Sequence, residues 1–449
     1  MTFQTALFTD LYELTMLQAY HQEGMQQEAV FDLYVRHLPQ NRNLLVACGL
    51  EQCLEYLEQI RFSEDSLDYL RSLHLFSSEF LDYLSSFRFT GQVRAVPEGT
   101  VVFPGEPLLE VSGPIAEAQL AETYLLNQMT FQTAIASKGI RMVLAAEGRS
   151  LVDFGSRRAH GSDAALKAAR ALYVSGFDST SNVLAGHLFG IPVSGTMAHS
   201  YIQAHDSERE ALESFLRTFP ETVVLVDTYD TAAGVRRAAE AANSVPGARL
   251  RGVRLDSGDL AELSKQARSI LDKAGLVDVQ VVASGGLDEA EIAALLKAGA
   301  LIDAFGVGTA AVVSDDAPTL DSAYKLVSYA GKPRMKLSTG KDTLPGRKQV
   351  FRRYINGQMV EDVIGLADEE QEGEPLLRDV MVNGSRTDAG SESIDQARER
   401  VIRQLRELPS RLRTLERAER PYSPTITSAL KKTLHEVRDE ITREAEAGD

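Results

Sequence analysis

The spacing of apolar positions divides the chain into three textures. In the first, apolar residues recur at helical intervals through TDLYELTMLQAYHQ (9–22), with Asp10 and Glu13 spaced as in a capping box. AVFDLYVR (29–36) then alternates with period two, which places Phe31, Leu33 and Val35 on one face and predicts a half-buried strand. Helices are predicted over 49–60, 63–73 and 77–86. VRAVPEGTVVFPGEPLLEVSGP is β-rich and broken by Pro-Glu-Gly and Pro-Gly-Glu-Pro turns, which predicts a small β-layer. A long helical stretch over 116–146 leads out of it.

From Ser150 strand and helix alternate. Strands are predicted to end near Phe154, Val193, Val226, Leu255, Ala283 and Val307, and amphipathic helices separate most of them. Ser162 reads as the N-cap of the first of these helices. About six βα units with short loops predict a parallel α/β sheet, closed as a barrel or open. Right-handed crossovers then bring every strand C-terminus to one rim. Beyond Tyr324, YKLVSYAGKPRMKLSTGKDTLPGRKQVFRRY reads as paired strands joined by basic loops, and a charged helical tail begins at Ile394.

Composition narrows the partners. The formal net charge of −17 argues against nucleic acid or an anionic membrane, but leaves room for an anionic small molecule held by local cations. Cys48 and Cys53 have no other Cys or His at ligand spacing, so they read as small core residues in a reducing compartment, the cytoplasm. The N-terminus lacks a basic segment and is interrupted early by Asp10 and Glu13, against a signal peptide. The most apolar long window, 293–313, contains Lys297, Asp303 and several glycines, and reads as helix, turn and buried strand instead of a membrane span.

The strand ends carry the chemistry. In order they present Asp153-Phe154-Gly155-Ser156-Arg157-Arg158, Gly195-Thr196-Met197-Ala198-His199, Asp227-Thr228-Tyr229-Asp230, and Arg254-Leu255-Asp256-Ser257-Gly258-Asp259. The last two are Ser284-Gly285-Gly286-Leu287-Asp288 and Gly306-Val307-Gly308-Thr309, glycine turns before helices, where backbone amides can cradle a phosphate. Arg254, Asp256 and Asp259 admit two readings: a surface ion pair with a helix cap, or a guanidinium for an anionic substrate beside a carboxylate that holds Mg²⁺. Asp227 and Asp230 admit the same two. His199 is either a packing residue or, on this rim, a base or a phosphoryl-accepting nucleophile.

Seven of these motifs, in order over about residues 9–350, resemble nicotinate phosphoribosyltransferases: Thr9-Asp10-Leu11-Tyr12, DFGSRRAHG, GFDSTSNVLAG, GTMAHSYIQAH, VDTYDT, GVRLDSGDL and the ASGGLDE…FGVGT pair. The resemblance implies an irregular parallel α/β barrel with an N-terminal α/β domain and a helical C-terminal extension. Its divisions fall at 1–137, 138–330 and 331–449, the last returning to the N-terminal domain and ending in charged helices. It implies a cytoplasmic homodimer with a shared active site, no nucleic-acid or membrane partner, and Mg²⁺ as cofactor. Nicotinate, 5-phosphoribosyl 1-diphosphate and ATP would be the substrates, giving nicotinate mononucleotide and diphosphate as the first step of NAD biosynthesis from nicotinate.

By the same resemblance His199 is the histidine that ATP phosphorylates, and Phe154 and Tyr12 sandwich the pyridine, the tyrosine from the partner subunit. Arg254 lies near the pyridine carboxylate, Asp256 near the ribose and metal, and Asp10 beside the ribosyl site. Arg157, Gly285, Gly286, Gly308 and Thr309 bind phosphates. Thr180 and Ser181 occupy the turn where nicotinamide-using relatives carry an Asp; a neutral hydroxyl suits a carboxylate ligand, which an Asp would repel. Nicotinamide or quinolinate enzymes on the same fold, and a binding protein without chemistry, are the rival expectations.

Overall fold

Alternation in AVFDLYVR becomes the strand Glu28–Val35, which sits inside a seven-stranded antiparallel sheet. The computed structural model describes residues 6–337 and 343–447. The chain divides into two units, Met1–Ala134 with Thr319–Asp449, and Ile135–Pro318.

In the first unit Glu28–Val35 pairs antiparallel with Ser322–Tyr329 on one side and Pro107–Pro114 on the other. Phe31 stacks on Tyr324 at 4.9 Å on the apolar face. The polar face is not solvated as the alternation predicts. Asp32 is buried there against Lys348, 2.8 Å away and itself buried, so the strand is covered on both faces. The predicted helices form at Leu50–Gln59, Glu64–Ser72 and Ser78–Ser85, the last two capped by Ser63 and Ser77 through their side chains. Cys48 and Cys53 are buried thiols.

The basic stretch after Tyr324 forms strands, but with different partners. Ser322–Tyr329 turns into Lys332–Pro333, whereas Lys348–Ile355 makes a hairpin with Gln358–Leu366 in a separate four-stranded sheet. Residues 338–342 of its loop lie outside the described residues. The hairpin is locked by Arg352, fully buried, which donates from Nε and Nη2 to both oxygens of Asp362 at 2.9 and 2.6 Å and from Nη2 to the Val101 carbonyl. The charged tail forms separate helices, as expected. Ile394–Glu407 stops before Pro409, which forces Leu408 into extended backbone, and Ser428–Ala447 follows.

The second unit holds a six-stranded parallel sheet. Its spatial order is Ser179–Thr180, Ser150–Asp153, Ala304–Val307, Gln280–Ser284, Arg249–Leu255, Glu221–Leu225, curled as an irregular half-barrel. Two local expectations fail. The strand predicted at 191–193 is a single bridge, Thr180 to Val193, because Pro192 has no amide and can only accept, from Thr180 N at 3.0 Å. The strand itself lies earlier, at Ser179–Thr180. Ser162 is the first helical residue of Ser162–Ser175 and Gly161 is the cap, without a side-chain bond. Among the described residues no helix is long and apolar enough to cross a membrane.

The capping box expected at the first helix, Leu11–Gln22, does not form. Asp10 accepts instead from the Thr123 hydroxyl at 2.7 Å, and Glu13 turns inward, fully buried, to accept from the Thr123 amide (3.0 Å) and hydroxyl (2.6 Å). Burial pushes the Glu13 carboxyl up to about 7, against those hydrogen bonds. The unfolded chain loses this proton near 4.5 and the folded chain keeps it to about 7, so this group's contribution to stability falls as pH rises between the two. Glutamine preserves the contacts without the ionisation. The melting temperature of wild type relative to Glu13→Gln should therefore drop between pH 5 and pH 8; parallel curves would show that Glu13 does not titrate there.

Candidate active site

Parallel strands deliver their last residues to a common rim, and Arg254 arrives there at the end of Arg249–Leu255. Its Nη2 donates to the Met197 carbonyl at 2.9 Å, and the guanidinium lies 5.8 Å from the centre of the Phe154 ring. Its Nε is buried with no hydrogen-bond partner. Burial pulls Arg254 below the usual arginine value, Arg157 acts in the same direction, and Asp256 and Asp227 act against it. It stays charged all the same. The Phe154 ring fits because residue 306 is glycine: a Cβ there would come within 2.4 Å of the ring.

Both Asp pairs that sequence left ambiguous divide in the same way. The second member caps a helix: Asp230 accepts from the Ala233 amide at 2.7 Å and Asp259 from the Glu262 amide at 3.2 Å. The first member belongs to the rim. Asp227 is buried; its Oδ2 accepts from the Asp256 amide (2.9 Å) and the Ser257 hydroxyl (2.7 Å), while its Oδ1 is buried without a partner. Asp256 accepts from the Ser284 hydroxyl through Oδ1.

His199 begins the short helix His199–Gln203 instead of ending a strand, is half-buried, and has Nδ1 3.1 Å from the Thr228 hydroxyl. His205 Nδ1 is taken up by the Tyr201 carbonyl at 2.8 Å. Arg157 is exposed on the turn Ser156–Arg158. Gly285 and Gly286 both have positive φ, but the helix beyond them is already capped by Asp288, which accepts from Glu291 N. Gly308 precedes Thr309, exposed at the start of a five-residue helix with no side-chain cap. Thr180 is buried, with its hydroxyl donating to Asp153, whereas Ser181 is half-buried. Asp10 and Tyr12 belong to the first unit, where both are exposed; burial of part of the ring and the carboxylates of Glu122 and Glu13 raise the Tyr12 hydroxyl.

No group of three or more His, Cys, Asp or Glu converges as a metal cage among the described residues. Asp227, with its unpartnered buried oxygen, and Asp256 are the rim carboxylates whose chemistry would suit a hard cation. Sequence reasoning singled out neither Thr228 nor Ser284 for a role, although both stand inside quoted motifs. It missed Gly306 because the need for a small residue there exists only once Phe154 folds over it.

The glycines separate by geometry. Gly285→Ala combines φ +97° with a Cβ 2.0 Å from the Asp256 carbonyl oxygen, so it should cost at least about 1–3 kcal/mol and displace Asp256. Gly286→Ala meets open space at φ +68° and should cost about 1–2 kcal/mol. Denaturant titration of the two variants checks the order, which a Gly286→Ala more damaging than Gly285→Ala would contradict.

Known proteins match this chain throughout. The family profile for the nicotinate phosphoribosyltransferase N-terminal domain matches residues 7–130, and that for the nicotinate phosphoribosyltransferase family matches 149–336. Nicotinate phosphoribosyltransferase pncB2 of Mycobacterium tuberculosis is 51% identical over 445 residues, 99% of this chain and 96% of that protein. The Bacillus subtilis nicotinate phosphoribosyltransferase is 42% identical over 83% of this chain and 78% of its own. The crystal structure of human nicotinic acid phosphoribosyltransferase superposes with a TM-score of 0.85 at 29% identity, covering 96% of this chain and 99% of that one. Fold, rim and kinship agree: this chain belongs to the nicotinate phosphoribosyltransferase family.

Proposed function

We propose that this chain joins nicotinate to 5-phosphoribosyl 1-diphosphate, giving nicotinate mononucleotide and diphosphate with coupled ATP hydrolysis, the first step of NAD biosynthesis from nicotinate. The observation that carries the reading is Arg254: a charged guanidinium that gives one donor to the Met197 carbonyl and lies beside the Phe154 ring. A flat ring bearing one carboxylate satisfies both features at once.

The pyridine nitrogen attacks ribose C1 with its own lone pair as the C1–O bond breaks and the electron pair leaves on diphosphate, so no general base is required. Phe154 fixes the ring and Arg254 its carboxylate, which makes the gain one of orientation. Arg157, with the amides at Gly285, Gly286, Gly308 and Thr309, takes up phosphate charge. Asp256 and Asp227 would hold Mg²⁺; when bound, it supplies positive charge to the leaving diphosphate. His199, its ring fixed by Thr228, accepts the phosphoryl group of ATP. The exposure of Phe8, Leu11 and Tyr12 supports a homodimer in which Tyr12 of one copy closes the pyridine site of the other. Two buried cysteine thiols suit the cytoplasm.

Incubation of nicotinate with 5-phosphoribosyl 1-diphosphate and Mg²⁺, with and without ATP, tests the activity; mononucleotide from nicotinamide or quinolinate in its place would overturn it. His199→Asn should abolish ATP hydrolysis yet leave a slow, ATP-independent transfer. Asn keeps a polar group but cannot accept the phosphoryl group as imidazole does. ATP hydrolysis still in step with product in that variant would move the phosphorylated residue elsewhere.

A further inference from the structure

Asp153 is a buried carboxylate with no ion-pair partner among the described residues, an arrangement that costs free energy unless its oxygens are used. Both are. Oδ1 accepts from the Gly155 amide at 2.7 Å, closing the turn that carries Phe154. Oδ2 accepts from the Thr180 hydroxyl at 2.7 Å, and the same Thr180 oxygen accepts from the Asn182 amide at 3.0 Å. Asn182 in turn caps the helix Val183–Phe189 through the Ala185 amide. The Asp153 carbonyl accepts from the Ser181 amide at 2.8 Å.

Two loops thus meet on one residue: the turn of Phe154 and the turn of Ser181. The strands beneath them pair over only two positions, Val152 with Ser179 and Asp153 with Thr180, at the edge of the sheet. Besides that short ladder and the Ser181 amide bond, the carboxylate is the side-chain link between the two loops. An acceptor on both oxygens is what the site needs; an amide supplies one acceptor and one donor. Thr180 is buried and its hydroxyl is committed to this link.

We infer that Asp153 is a positioning residue that acts through Thr180 to set the distance between the Phe154 ring and the Ser181 hydroxyl, and so the fit of the pyridine. The inference rests on the nicotinate reading of Phe154 and Ser181. Thr180→Val keeps the shape and removes the hydroxyl; Thr180→Ser keeps the hydroxyl. Steady-state kinetics in the presence of ATP, varying nicotinate and 5-phosphoribosyl 1-diphosphate separately, should show the nicotinate KM of Thr180→Val raised about tenfold or more with the other KM little changed, since only one subsite loses its geometry. Thr180→Ser should return most of the difference. An unchanged nicotinate KM, or equal damage to both substrates, overturns the inference. Where Thr180→Val does not fold, Asp153→Asn replaces it with the same expected split, and failure of both to fold overturns the inference in favour of a purely structural role. Wild-type protein inactive on nicotinate would instead sink the functional reading.

Discussion

A guanidinium withdrawn from water is the constraint on which the catalytic unit depends. Removing a cation from solvent costs several kcal/mol unless its donors and its charge are met. Arg254 meets that cost only partly, with one carbonyl from Met197, the face of Phe154, and the field of Asp256 and Asp227. Its Nε is left over. Under the proposed function, the charge of a bound carboxylate would offset part of that deficit.

Around that charge, the βα architecture separates two uses of aspartate that look alike in sequence. A strand end followed by a helix supplies two places for a carboxylate about three residues apart. The later one meets the free amides of the helix, as Asp230 and Asp259 do. The earlier one stays at the rim, where Asp227 braces the loop that carries Asp256. The second unit therefore stabilises its helices and builds its site from the same short motifs.

How much of this was legible follows from the range of the interactions. The alternation of strand and helix after Ser150 is local, and it placed Phe154, Arg254 and Asp256 on one rim. Chain order of the motifs disclosed the family, which single motifs did not. The capping box at Asp10 and Glu13 failed because Thr123, more than a hundred residues away, competes for both carboxylates. The half-buried strand failed because Lys348 covers its polar face from a distant segment. A strand was expected at 191–193, where the absent Pro192 amide leaves only a bridge. Each miss lies where a tertiary partner overrode a correct local preference.

The central claim is that Arg254 and Phe154 form a subsite for a pyridine carboxylate. A crystal structure of the protein grown with nicotinate tests it most directly. The nicotinate carboxylate is predicted to lie within hydrogen-bond distance of the Arg254 guanidinium, with the ring against Phe154. Nicotinate bound elsewhere would contradict it.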